Sequence, residues 1–120
     1  MDVIQRNATK SFITKDGSEI RELMAYRNSC IRNLSLAEAI LPPGSVTQEH
    51  YHAGTDEVYY ILQGRGLMRV GDEERAVGPL DAIAIPAGQR HSITNTGSEP
   101  LVFLCCCAPA YEHDTTVMTG

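Results

Sequence analysis

The 120-residue sequence has no long hydrophobic run. Its longest apolar stretch, Leu101 to Ala108, is far short of the roughly 20 residues that a membrane-crossing helix needs. It has no basic stripe either. Ten Lys and Arg stand against 15 Asp and Glu, a net charge of −5, so neither nucleic acid nor an anionic membrane is expected as a partner. The opening residues, Met1-Asp2-Val3-Ile4-Gln5-Arg6-Asn7, lack the apolar stretch of a secretory signal, which makes a cytoplasmic location the expectation. Cys-x-x-Cys is absent, which argues against a structural zinc site or a thioredoxin-like motif. Cys30 stands alone, while Cys105, Cys106 and Cys107 are consecutive. Neighbours on one strand face opposite ways, so these make poor disulfide partners and are read as reduced thiols.

Turn signals, by contrast, are frequent: Asp16-Gly17, Pro42-Pro43-Gly44, Gly64, Gly71-Asp72, Gly78-Pro79, Pro86-Ala87-Gly88 and the stretch from Asn95 to Gly97. They divide the chain into short apolar runs, the pattern of an all-β sandwich or barrel. Strands are expected at residues 57–63, 67–70, 82–85, 91–95 and 101–108, and alternation suggests another at 34–41. Residues 19–25 are rich in helix formers and stay open between helix and strand. Residues 1–9 read as a loosely held end or an edge strand. The sequence contains no internal repeat and no low-complexity linker.

Three of the four histidines belong to one pattern: His50-Tyr51-His52, then Glu57, then His91. On a strand, His50 and His52 face the same way and Tyr51 the other, because side chains alternate with period two. Ala53-Gly54-Thr55-Asp56 turns the chain so that Glu57 can return to the same face, and the rigid Pro86-Ala87-Gly88 turn sets the start of the strand bearing His91. Three neutral imidazoles and a carboxylate suit a borderline divalent metal. In an octahedral shell they leave two open positions, as a catalytic rather than a closed structural site requires.

The stretch Gly44-x5-His50-x-His52-x4-Glu57-x6-Gly64 resembles the first cupin motif at every signature position, and Pro86-x-Gly88-x2-His91-x3-Asn95 resembles the second from its proline onward. The resemblance spans roughly residues 35–108 and, within the superfamily, is nearest to small single-domain cupins labelled mannose-6-phosphate isomerase-like. It implies an all-β, single-domain cupin barrel of jelly-roll type. Residues 1–33 would form an N-terminal arm and early strands, 34–108 the barrel with both motifs, and 109–120 a C-terminal tail. It implies further that His50, His52, Glu57 and His91 bind one divalent metal ion (Fe, Mn, Ni, Co or Zn). Asn95 would tie the end of its strand, and Gly44, Gly64 and Gly88 would serve turns. Leu80 stands where the second motif usually opens with glycine, so the turn is expected to be rebuilt around Gly78-Pro79.

Around the ligands, Tyr59 shares parity with Glu57 and either fills the barrel or meets a substrate oxygen as a catalytic or binding phenol. Met68 and Val70 are expected to line the cavity, and Gln48, with the parity of His50, to reach the rim or stay on the surface. Cys105 and Cys107 share one face, where small buried hydrophobes are the simpler reading. His113 lies in a tail that can fold back over the barrel mouth. The expected function is a metal-dependent enzyme, an isomerase, lyase or related Lewis-acid catalyst, acting on a small oxygen-rich substrate such as a sugar or a hydroxy or keto acid. An iron-dependent dioxygenase and a non-catalytic binding or sensing module are the alternatives. By resemblance the chain is expected to form a homodimer, since a jelly roll otherwise exposes its edges.

Overall fold

The computed structural model describes residues 1–120. Eleven strands follow one another: β1 (Phe12–Ile13), β2 (Glu19–Met24), β3 (Ser35–Leu41), β4 (His50–His52), β5 (Asp56–Gln63), β6 (Gly66–Val70), β7 (Glu73–Val77), β8 (Ala82–Ile85), β9 (His91–Asn95), β10 (Leu101–Ala108) and β11 (Thr116–Met118). The only helical segments are single turns at Arg6–Ala8 and His113–Thr115, and no helix is long and apolar enough to cross a membrane. The strands form two antiparallel sheets, ordered β1-β2-β3-β10-β5-β8 and β11-β4-β9-β6-β7. The chain passes repeatedly from one sheet to the other, giving a jelly-roll barrel.

Period-two alternation decides which side chains enter the barrel. In β5, Glu57, Tyr59 and Ile61 are buried, while Val58, Tyr60 and Leu62 are exposed. In β10, Leu101, Phe103, Cys105 and Cys107 point inward. At one end Leu41, Ile61, Ile93 and Leu101 pack solidly with Phe103, each contributing about 1.5–3 kcal/mol through burial. Toward the other end the inner face of β3 carries only Ser35, Ala37 and Ala39. Those small side chains leave the barrel hollow there, and the hollow is where the histidines lie.

The expected strands are present with bounds shifted by no more than a residue. Residues 19–24, left open by their composition, form β2 because they pair along β3, with Ile20 opposite Ala39 and Glu22 opposite Ala37. Besides the exposed two-residue β1, two strands had no apolar alternation to signal them. β7 is almost wholly exposed and rich in charge, a composition that suits a sheet edge. β11, in the expected tail, pairs with β4 and sets Thr116 opposite His52. Residues 1–9 contribute one helical turn, tied to β3 by an Arg6–Glu38 ion pair of 2.8 Å.

Two turns bear on the motif reading. Gly64, between β5 and β6, has φ +91°, and a Cβ there would lie 2.9 Å from the Pro100 carbonyl oxygen, so the position requires glycine on both grounds. The turn before β8 is built around Gly78-Pro79 as expected, with the Asp81 amide donating to the Gly78 carbonyl at 3.1 Å. Leu80 itself takes the left-handed conformation at φ +73°. Its amide donates to the Ile61 carbonyl at 2.8 Å, and Asp81 Oδ2 accepts from the Gly78 amide at 2.8 Å. These bonds hold the backbone shape that glycine would adopt freely, and the leucine side chain is left 72% exposed.

Candidate metal centre

Short β4 carries His50 and His52 on its inner face, with Tyr51 turned outward. The Gly88 turn sends the chain into β9, where His91 lies directly opposite His50 in the strand register. Glu57 comes from β5 in the other sheet, so the four groups close across the barrel. The ring centroids of His50 and His91 are 4.3 Å apart, those of His50 and His52 5.0 Å, and those of His52 and His91 5.4 Å. One ring nitrogen from each of the three lies within 4.8 Å of the others. Glu57 Oε1 is 3.2 Å from His52 Nε2 and 3.3 Å from His91 Nε2.

The outer nitrogen of every ring is engaged. His50 Nδ1 donates to the Gln48 carbonyl at 2.8 Å and His91 Nδ1 to the Gln89 carbonyl at 3.0 Å. His52 Nδ1 meets Thr116 Oγ1 at 3.1 Å, and that hydroxyl in turn donates to the Glu112 carbonyl at 3.0 Å. A hydroxyl with its proton committed accepts, so His52 also carries its proton on Nδ1. All three rings therefore present a bare Nε2 to the same space, the arrangement in which outer partners fix tautomer and ring direction for a metal.

Glu57 Oε1 and His91 Nε2 are buried and have no hydrogen-bond partner. Their separation is within ion-pair reach but their angles do not make a bond. An orphaned buried acceptor costs about 1–3 kcal/mol, and a cation between these atoms would relieve two at once. Burial alone would raise the Glu57 pKa, yet the imidazoles of His52 and His91 outweigh it and hold the carboxyl at about 2, so it is ionised. Burial, then the neighbouring His91, pushes His50 below its usual range and keeps it neutral. A neutral His50 and an ionised Glu57 are in the protonation states a metal requires of its ligands. The residues present fit a divalent ion of the borderline class.

A family model for the cupin domain matches residues 37–107. The chain belongs to the cupin family. An uncharacterised protein of Methanocaldococcus jannaschii is 49% identical over 107 residues, which cover 89% of this chain and 86% of that one. An oxalate-binding protein of Thermotoga maritima is 41% identical over 64 residues, 53% of each chain. A glucose-6-phosphate isomerase of Thermococcus gammatolerans is 35% identical over 95 residues, and the match covers 68% of this chain but only 50% of that enzyme. The cupin thus spans about half the length of these two named relatives. Among solved structures, a predicted oxalate decarboxylase from Thermotoga maritima superposes with a TM-score of 0.79 at 28% identity, covering 90% of this chain and 99% of that one. The polyketide cyclase RemF from Streptomyces resistomycificus gives 0.83 at 22% identity, covering 100% and 86%, and speaks to the fold alone.

The other residues singled out in the sequence divide. Tyr59 is buried at the cavity wall, its ring 4.6 Å from Phe103 and 5.9 Å from His91. Burial, and then Glu57, raises its pKa well above the ordinary phenol, so it keeps its proton and can donate but does not serve as a base. Met68 is buried in the core beside Val77 and does not line the metal cavity, and Val70 packs against that same core. Gln48 is exposed, its side chain donating to the Gly120 carbonyl, and only its backbone carbonyl serves the site. The exposed His113 lies away from the cavity wall. Cys105 and Cys107 line the cavity as free thiols, with pKa values driven up by burial. Cys107 Sγ donates to Glu57 Oε2 at 3.3 Å and so helps orient the carboxylate.

Three residues around the centre escaped sequence reasoning. Thr116 holds His52, Tyr111 sets its ring 5.6 Å from that of His52, and Asp16 Oδ2 lies 3.6 Å from His50 Nε2. The only sequence signal for Asp16 is the Asp16-Gly17 turn, which says nothing of what the turn faces. The other two lie in a segment with no strand signature.

Proposed function

We propose that this cupin is a metal-dependent enzyme acting on a small oxygen-bearing molecule. The observation that carries the reading is the convergence of one nitrogen from each of three imidazoles, with the unpartnered Glu57 Oε1 3.2 Å from His52 Nε2 and 3.3 Å from His91 Nε2, beside a cavity. A divalent ion bound there supplies Lewis-acid chemistry toward a ligand carbonyl or hydroxyl.

The chain's own residues do the rest. Phe103, Ala37 and Ala39 give the cavity an apolar wall that excludes water from the ligand's body. Tyr59, kept protonated by burial, is placed to donate a hydrogen bond to a ligand oxygen. The cavity volume is about 50 Å³, enough for a few water molecules and hence for a small ligand group. Isomerase or lyase chemistry on a hydroxy-carbonyl compound is the class this arrangement supports best.

The test is metal analysis of the native protein together with His91→Ala and a turnover screen of sugars, hydroxy acids and keto acids. Stoichiometric metal that His91→Ala abolishes, with turnover of one class in the screen, is the expected result. Metal content unchanged in His91→Ala would refute the assigned ligands. Oxygen uptake by the iron-loaded protein would replace the isomerase or lyase reading with a dioxygenase.

The outward face of β5, with Val58, Tyr60 and Leu62 exposed, supports pairing of two copies through that sheet. Sedimentation at twice 13.1 kDa is the expected behaviour, and a monomer at all accessible concentrations would refute it.

A further inference from the structure

The turn between β1 and β2 lies over the metal-binding face and is built around one carboxylate. Gly17, at φ +93°, reverses the chain, and the Gln48 amide donates to the Asp16 carbonyl at 2.8 Å, pinning the turn to the segment that leads into β4. Asp16 Oδ1 accepts from the Ser18 amide at 2.9 Å, from the Ser18 hydroxyl at 2.6 Å and from the Thr14 hydroxyl at 2.5 Å. One oxygen is saturated and the carboxylate plane is locked. The other, Oδ2, takes no protein hydrogen bond. It faces the His50 Nε2 at 3.6 Å, too far for a bond.

The rest of the wall offers that oxygen no cation, for no Lys or Arg lines the cavity. Lys15, next in sequence, is turned away, its ammonium held by the carbonyls of His113 and Thr116 at 3.0 and 3.2 Å. Arg27 approaches the rim but is engaged by Glu22 at 2.6 Å and Glu112 at 2.8 Å. Glu57 and Asp16 together balance the charge of a dication, which leaves nothing positive for a second anionic group on the ligand.

We propose that Asp16 selects the ligand, in an inference that rests on the metal-site reading above. It commits the cavity to an uncharged hydroxy-carbonyl compound, whose hydroxyl donates to Asp16 Oδ2 while the adjacent oxygen takes the metal. It also rejects phosphorylated and dicarboxylate ligands. A dianion brings one charge to the metal and sets the other against Asp16 with no arginine or lysine to receive it. This cupin therefore departs in ligand class from the relatives named for oxalate and for glucose 6-phosphate, although it shares their fold.

The test uses the full-length protein loaded with Co(II), whose visible bands report ligands entering the metal shell. Hydroxyacetone and oxalate are the two probes, compared in the native protein and in Asp16→Asn. Asparagine keeps the Oδ1 acceptor and its three donors, so the turn is preserved. Asp72→Asn, at an exposed position outside the cavity lining, makes the same change in net charge. The expected result is a crossed one. Asp16→Asn binds oxalate at least tenfold more tightly and hydroxyacetone several-fold more weakly than the native protein, and Asp72→Asn changes neither beyond twofold. A loss of fold would weaken both probes together and cannot imitate this crossing. Equal oxalate affinity in native protein and Asp16→Asn overturns the selective role of Asp16 while leaving the metal site standing. The absence of cobalt bands from the native protein overturns the metal site and this inference with it.

Discussion

Thr116 offers a direct test of how the barrel holds a ligand nitrogen. Its hydroxyl accepts from His52 Nδ1 at 3.1 Å and donates to the Glu112 carbonyl at 3.0 Å. Thr116→Val keeps the shape and the strand preference and removes both bonds. The Glu112 carbonyl does not become an orphan, since the Thr115 hydroxyl and amide also reach it at 3.2 and 3.3 Å. The loss therefore falls on His52, whose buried N–H is left without an acceptor at a cost of about 1–3 kcal/mol to folding. Removal of such an outer partner typically weakens metal binding about 10–100-fold, or roughly 1.4–2.8 kcal/mol. Competition against a chromophoric chelator with Co(II) measures the affinity, and a thermal melt of the metal-free protein measures the fold. Thr115→Val is the control, because its hydroxyl shares the Glu112 carbonyl but does not touch His52. A Co(II) affinity within twofold of native in Thr116→Val, with Tm lowered, would refute the reasoning. The hydroxyl would then support the barrel without steering the imidazole. Equal weakening by Thr115→Val would place the effect in the whole segment rather than in one bond.

Other consequences follow from single groups. Leu80→Gly relieves about 1–2 kcal/mol of left-handed strain, gives back about 0.5–1 kcal/mol in chain entropy, and loses little burial from a side chain 72% exposed. Its melting temperature should rise by a few degrees, and a fall would show that the leucine is held by something other than the turn. Asn95→Ala removes bonds to the Leu41 and Glu99 carbonyls and from the Gly97 amide, each 2.9 Å. It should cost about 2–3 kcal/mol in denaturant unfolding with metal affinity unchanged, because Asn95 ties the end of β9 and touches no ligand. Acid should weaken the metal-free protein in two stages. The folded pKa of His50 lies below 6.5, so the unfolded chain gains a proton first as pH falls through that value. Glu57 stays ionised in the fold down to about 2, so its contribution is complete above 4.5 and is lost between 4.5 and about 2. Stability that stays flat from pH 7 to 3 in urea titrations would contradict both assignments, and Glu57→Gln should remove only the lower stage.

The difference between what could be read in the chain and what could not has a physical pattern. His50, His52, Glu57 and His91 were legible because strand parity and two short turns fix their facing locally, whichever sheet partners they acquire. β5, β9 and β10 were legible for the same reason, since their inward and outward residues differ in polarity. β7 and β11 carry no such contrast, and β2 has the composition of a helix. Each is a strand because a neighbour offers it a free row of backbone donors and acceptors. Gln48 and Met68 show the limit of parity beyond the ligand set: parity sets the face of a strand and not the depth at which a side chain ends. Gln48 finished at the surface against Gly120, and Met68 finished in the solid end of the core.

The sequence by itself determined the all-β class, the four candidate ligands and the lack of a basic run, because each depends on residue type and short-range spacing, while the jelly-roll form was implied by the cupin resemblance. Only the tertiary structure decided what surrounds the ligands. Asp16, Thr116 and Tyr111 lie far from them along the chain and reach the site through the β1–β2 turn, the C-terminal strand and the segment that follows β10. Whether a carboxylate oxygen stands free beside the metal position depends on which donors the fold brings to its partner oxygen and which cations it leads elsewhere, and no local pattern in the chain encodes either.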